Sequence, residues 1–158
     1  ITSRISTDWT VTPQGVVRGL SPSQALAVSL PPALLPPERA QRLVATLERE
    51  LLTPFGLREA PGGERVSTAS LGAFVTAYLR VHQRSAEAQT RALGWIEAAR
   101  AAGRATGHVP AILRVSTDGL CSEPLGDPAA TLAAAELLRV WIEELAHANE
   151  PARATGPA

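Results

Sequence analysis

Between two proline stops, Pro31-Pro32 and Thr53-Pro54, the apolar residues Ala40, Leu43, Val44, Leu47 and Leu51 recur at intervals of three and four. That spacing stacks them along one side of an α-helix, and it predicts a helix from about Pro37 to Leu52. Glu38 precedes Arg42 by four residues, the favourable order for an ion pair on the wet face. Other segments repeat the pattern. Ser21-Pro22-Ser23 opens a short helix through Leu30, with Ser21 as cap and Pro22 at the first helical position. A third helix, about Ser70 to Gln83, is expected to bury Leu71, Phe74, Val75, Tyr78 and Leu79. Ser85 caps a fourth, which runs to Ala102 and closes at Gly103, with Ala88, Ala92, Trp95, Ile96 and Ala99 on its core face. Asp127-Pro128 signals a last helix through about His147, its stripe formed by Leu138, Trp141, Ile142 and Leu145.

What lies between is less regular. Residues 1–20 carry β-branched runs broken by Pro13 and Gly15 and read as irregular or as a short strand pair. Phe55 to Ser67, with Pro61-Gly62-Gly63, reads as a loop. Val109 to Val115 is an apolar run that periodicity does not assign. The expectation is one helical domain over 1–148, four to five helices in antiparallel pairs, and a flexible tail over 149–158. A chain of 158 residues with 45% hydrophobic content is long and apolar enough for a packed core.

Charge and composition exclude several function classes. Fifteen basic and fifteen acidic residues cancel, which removes the electrostatic footprint of a nucleic-acid or anionic-membrane binder. No apolar run reaches the roughly 18 residues of a membrane span. Cys121 is the single cysteine, so an internal disulfide is excluded, and an incidental thiol is expected there. All fifteen basic residues are Arg, and Met is absent, as in chains from GC-rich bacterial genomes. The segment ITSRISTDWT has no signal-peptide pattern, so a cytoplasmic location is expected; the lack of an initial Met suggests a trimmed or partial chain. His82, His108 and His147 are far apart, and neither a metal nor another cofactor is expected. Arg84, Arg91, Arg100, Arg104 and Arg114 form a basic stripe diluted by Glu87 and Glu97, too weak a signal for nucleic acid. Trp95 and Trp141 sit at core spacing, whereas Trp9 is the candidate for a surface contact.

Several strings carry a resemblance. Pro22 and Gln24 keep half of an RPNQ motif, and SLP follows at Ser29-Leu30-Pro31. Leu51 to Arg58 read LLTPFGLR, residues 71–82 read LGAFVTAYLRVH, and residues 134–141 read AAELLRVW. Together, over roughly 15–145, they resemble the C-terminal glucosidase domain of bacterial glycogen debranching enzymes (amylo-α-1,6-glucosidase), in degenerate and truncated form. The resemblance implies a mainly α fold, antiparallel helix pairs amounting to about half of an α/α toroid, with a short irregular or β-like N-terminal segment.

It also implies which residues should do chemistry, and those are replaced. The family's catalytic Asp aligns with Val17 and its second carboxylate, a Glu, with Ala111. Its glucose-lining HQG…W…WP segment corresponds to Gly62 through Ser70, and its QAWS string to Ala130 through Ala133. Ser21 and Ser23 stand where the motif has Arg and Asn. Glycosidic cleavage needs two carboxyl groups about 5 to 9.5 Å apart, one to protonate the leaving oxygen and one to attack or activate water. Asp118 and Glu123, in the loop after Ala111, are the weak candidates for a displaced pair, beside the plainer reading of Asp118-Gly119 as a turn. The expected function is a non-catalytic interaction or scaffold module, paired with a second copy or a larger protein partner, because uncovered helix faces mark interfaces. The alternatives are a part or subunit of an active α-1,6-glucosidase and an α-glucan-binding module without hydrolysis.

Overall fold

The computed structural model describes residues 8–12, 15–32, 34–116, 121–125 and 130–146. Strands β1 (Asp8–Thr12) and β2 (Gly15–Gly19) pair antiparallel, with Asp8 opposite Gly19 and Thr12 opposite Gly15. A single 3-10 turn, Pro22–Ala25, leads into the short α1 (Leu26–Ser29). The turn is capped by Ser21, whose hydroxyl accepts from the Ser23 N–H at 3.4 Å. Helix α2 (Pro37–Leu51) buries Ala40, Leu43, Val44, Leu47 and Leu51, the stripe read from the sequence. Then come β3 (Leu52–Thr53), β4 (Gly56–Arg58) and β5 (Arg65–Ser67), followed by helices α3 (Ser70–Val81) and α4 (Ala86–Thr106). Strands β6 (Ile112–Val115) and β7 (Cys121–Leu125) precede α5 (Thr131–Val140), which continues as a π-helical turn over Trp141–Leu145.

The second sheet corrects the fold class. Strands β3 to β7 form a five-stranded antiparallel sheet in sequence order. The mainly α, half-toroid architecture implied by the resemblance does not hold: helices pack with an antiparallel sheet. The segment read as a loop, Phe55 to Ser67, contributes two of the strands, and the unassigned run at 109–115 contributes a third. The physical reason is pairing at a distance. Neighbouring strands β5 and β6 are separated in the chain by the whole α3–α4 hairpin, and Val66 lies opposite Leu113. Strands of two to five residues carry too little alternation to be read locally.

Helix α3 is the centre of the core. It buries Leu71, Gly72, Phe74, Val75, Thr76, Ala77, Tyr78 and Leu79, as a helix apolar on most sides must. Around it pack α1, α2, α4 and α5. Helix α4 presents Ala88, Ala92, Ile96 and Ala99, with Trp95 half-buried against Phe74 and Tyr78 at ring separations of 5.5 and 4.9 Å. Ser85 caps α4 as expected, accepting from the Ala88 N–H at 3.3 Å. The helix ends at Gly107 (φ 79°) rather than at Gly103. Gly103 serves another need: a Cβ there would lie 3.2 Å from Val109 Cγ2, so the glycine admits the returning chain. Leu57 faces the helical core, while Val66, Leu113 and Val115 form a second cluster with Phe55.

The last helix meets its expected face only in part: Leu145 is buried and Trp141 packs against the core, but Leu138 and Ile142 do not. Ala133, Leu137, Val140 and Leu145 are buried, whereas Leu138 and Ile142 are 59% and 53% exposed. The start signal at Asp127-Pro128, the end at His147 and the tail over 149–158 lie outside the described residues.

Candidate functional site

The hairpin β3–β4 explains the most specific string of the resemblance. Residues 51–58 end α2 and turn back through Pro54-Phe55, with Thr53 opposite Gly56. Buried Thr53 donates to the Gly56 carbonyl at 2.8 Å and accepts from the Phe55 N–H at 3.3 Å. Gly56 lets β5 approach: a Cβ there would sit 2.3 Å from the Ser67 carbonyl oxygen. These residues are structural. The retained half of the first motif is structural too. Pro22 and Gln24 are buried, and Gln24 Nε2 donates to the Gly19 carbonyl at 3.3 Å, tying the hairpin to the 3-10 turn.

Some of the positions at which the resemblance implies a replacement lie together in a groove of about 800 Å³. Ser21 and Ser23 line it beside the 3-10 turn. Ser67, Ala69 and Ser70 line it from the segment aligned with the glucose-lining string, and Leu132 from the QAWS position. Its floor is the face of α3 that carries Ser70, Ala73, Thr76 and Arg80. One wall is α1 with Leu26 and Leu30, and the other is α5 with Leu132, Glu136, Arg139 and Glu143. Tertiary structure thus gathers positions from three distant parts of the chain.

The chemistry of the lining is that of paired groups. Arg139 Nε donates to the two Glu136 oxygens at 3.2 and 3.3 Å, its Nη1 to Glu143 at 3.2 Å, and its Nη2 to Glu136 at 3.0 Å and to the Thr76 hydroxyl at 3.2 Å. Hydrogen bonding to the Glu136 carboxylate raises the Arg139 pKa above its ordinary value. Glu144 receives a fork from Arg84, at 3.1 and 2.8 Å, and Glu59 pairs with Arg65 at 2.7 Å. Arg80 spends its guanidinium on the Val28 and Leu30 carbonyls, at 2.6 Å to the first, and so fixes the end of α1. Hydroxyls pair across 2.7 Å at Ser21 and Ser23, and across 2.9 Å at Ser67 and Ser70. Among the described residues, no aromatic ring lines the groove to stack a sugar.

The other residues singled out from the sequence lie elsewhere. Ala111 sits at the start of β6, where its carbonyl accepts from the Thr68 N–H at 3.2 Å; Val17 is in β2, opposite Thr10. Asp118 and Asp127 fall outside the described residues. Glu123 is exposed in β7 and ion-paired with Arg114, its cross-strand neighbour. Cys121 pairs with Val115 in β7. The basic stripe is largely matched by acid: Arg84 by Glu144, Arg91 by Glu48 at 2.5 Å, Arg100 by Glu97 at 2.5 Å and Arg114 by Glu123. Arg91 also lies 5.5 Å from the centroids of Tyr78 and Trp95. Among the described residues, no group of three His, Cys, Asp or Glu side chains is placed to hold a metal ion. None of their helices is long and apolar enough to cross a membrane.

Sequence reasoning passed over Glu136, Arg139 and Glu143. Their spacing, three then four, was a legible sign of one charged helix face. That this face would border a groove was not.

Comparison with known proteins agrees with the first part of this picture. No curated protein matches the chain, and no solved structure does. A family model described as amylo-alpha-1,6-glucosidase matches residues 4–61, the stretch that holds the β1–β2 hairpin, the 3-10 turn, α1, α2 and the β3–β4 hairpin. Over that stretch the chain is similar to the amylo-alpha-1,6-glucosidase family.

Proposed function

We propose that this chain is a degenerate, debranching-enzyme-related module that engages a protein partner and does not itself hydrolyse α-1,6-linked glucan. The carrying observation is the groove. Some of the positions that the resemblance assigns to sugar recognition meet there as serine, alanine and leucine, and the carboxylates beside them are held by arginines. Glycoside hydrolysis needs a protonated acid on one side of the scissile bond and a free carboxylate on the other. Each carboxylate described in the groove is instead ion-paired with an arginine. Exposed leucines are what this site offers instead. Leu26, Leu30 and Leu132 line it, the last with 67% of its surface exposed, and such apolar clusters mark contact sites for proteins.

Incubation with a branched limit dextrin tests the first half of the proposal. No glucose release is expected from the chain alone, and release that disappears in a Glu136→Gln variant would overturn the reading. Light scattering with and without a maltooligosaccharide tests the second half. A mass or elution change only with sugar would favour the glucan-binding alternative, for which the hydroxyl pairs Ser21–Ser23 and Ser67–Ser70 are the specific support.

A further inference from the structure

We infer that the outward face of α5 is a self-association surface, on which the same helix of a second copy of this chain lies antiparallel. The inference rests on the reading of the chain as a protein-binding module and names the partner, but it uses a different surface from the groove. Three observations carry it. The first is an apolar stripe that the single chain leaves uncovered. Thr131, Ala135, Leu138 and Ile142 are all exposed, on the side of α5 turned away from buried Ala133, Leu137 and Val140. Their spacing of four, three and four is the seam spacing of paired helices.

The second observation says what fits the stripe. Its side chains are small in the N-terminal half and large in the C-terminal half, and the flank nearest Arg100 of α4 repeats this with Ala134 and half-buried Trp141. A second α5, turned end for end about the point between Glu136 and Leu137, sets Leu138 against Ala135 of the other copy. It likewise sets Ile142 against Thr131 and Trp141 against Ala134. Every large side chain meets a small one, and each contact occurs twice, because a two-fold pair repeats the contact of i with j as that of j with i. One small member in each layer lets the helix axes approach to the near end of the usual range, about 8 Å. A parallel copy would set Leu138 on Leu138 and leave Ala135 facing Ala135 across a gap, losing the close packing of a protein interior.

The third observation is charge. No charged residue stands in the stripe, and the centre of a protein interface is where charged residues are depleted. Those that border it are already matched. Arg139 pairs with Glu136 and Glu143 on one side, and Arg100 pairs with Glu97 on the other, its guanidinium 6.0 Å from the Trp141 ring. Bringing two such faces together therefore buries no unmatched charge. The helical residues 131–145 run about 22 Å. A helix pair of that length sits near the lower limit of specific interfaces, about 1,000 Å² in all, so the dimer is expected to form and dissociate with concentration.

Sedimentation velocity on the whole chain, from about 1 μM to about 1 mM, should show the mass rise from monomer to dimer. Leu138→Glu should weaken the dimer at least about tenfold. Ala135→Leu separates this register from an unspecific apolar patch. The substitution adds apolar surface, which would tighten unspecific association, whereas here it overpacks a layer twice and should weaken the dimer at least about tenfold. Exchanging the pair within one chain, Ala135→Leu with Leu138→Ala, turns the layer round and should restore the affinity to within about threefold. Both positions are exposed in the single chain, so the variants keep its fold, as circular dichroism at low concentration can verify. A chain that stays monomeric throughout overturns the inference. So does a dimer that is indifferent to Leu138→Glu, is tightened by Ala135→Leu, or is not restored by the exchange. A dimer abolished by Leu26→Glu and not by Leu138→Glu overturns it in favour of the groove. None of these results requires glucose release, so the non-catalytic reading stands or falls separately.

Discussion

At Gly56 a single hydrogen atom decides whether the β4–β5 pair can form. The residue has φ 151°, a region L side chains rarely enter, and a Cβ would clash with the Ser67 carbonyl oxygen at 2.3 Å. Neither atom can move without breaking the strand pair. Gly56→Ala should therefore cost about 2–4 kcal/mol, read as a lower urea midpoint with an unchanged slope. Tyr78 supports a second test at this scale because it is the only tyrosine. Burial raises its pKa above the ordinary 10.0, partly offset by the Arg91 guanidinium, to which its hydroxyl is hydrogen-bonded at 3.1 Å. The folded state thus holds this proton more tightly than the unfolded chain does. The resulting stability is fully present below pH 10 and is lost as pH rises through the folded value. Ultraviolet titration of the phenolate should show its onset displaced upward in the folded protein and restored in urea. Coincident titrations would contradict that environment.

At the scale of elements, α2 and α5 teach opposite lessons. In α2 the apolar period and the buried face coincide, because one continuous α-helix lies against α3 throughout. In α5 the buried residues run Ala133, Leu137, Val140 and Leu145, at steps of four, three and five. The step of five belongs to the π-helical turn at Trp141–Leu145, whose extra residue per turn returns Leu145 to the core. A reader assuming a constant 3.6-residue period puts Leu138 and Ile142 inside. The difference is measurable. Leu137→Ala should destabilise by about 2–4 kcal/mol, whereas Leu138→Ala should stay within about 0.5 kcal/mol. Equal costs at the two positions would restore the sequence-based face. Gly72 belongs to the same contact: a Cβ there would lie 2.5 Å from Glu136 Oε2, so its absence lets α5 settle on α3.

For the whole molecule, the groove depends on two walls latched independently to one central helix. Arg80 holds α1 through the Val28 and Leu30 carbonyls, and Arg139 joins α5 to Thr76 of α3. Loss of the first latch should open one wall and leave the other. Arg80→Ala is expected to cost about 1–3 kcal/mol, since two backbone carbonyls, one of them on buried Val28, lose a charged donor. Hydrogen exchange should speed up in α1 while α5 amides keep their protection. Faster exchange in both helices would mean that the walls are coupled through more than α3. The exposed ion pairs elsewhere contribute about 0–1 kcal/mol each, and they serve mainly to neutralise the arginines that the composition left prominent.

The sequence by itself determined the helices that answer to a local period, the caps at Ser21 and Ser85, and the core stripes of α2, α3 and α4. Each of these is written in residues three or four apart, or in the identity of a single position. The five-stranded sheet, the phase of α5 and the groove were decided only by the tertiary structure. Strands β5 and β6 meet across the entire α3–α4 hairpin, and Ser21, Ser70 and Leu132 reach one surface from three separate segments. Contacts of that range form because burying α3 from every available side lowers the free energy of the whole chain, and no local window of sequence contains that sum.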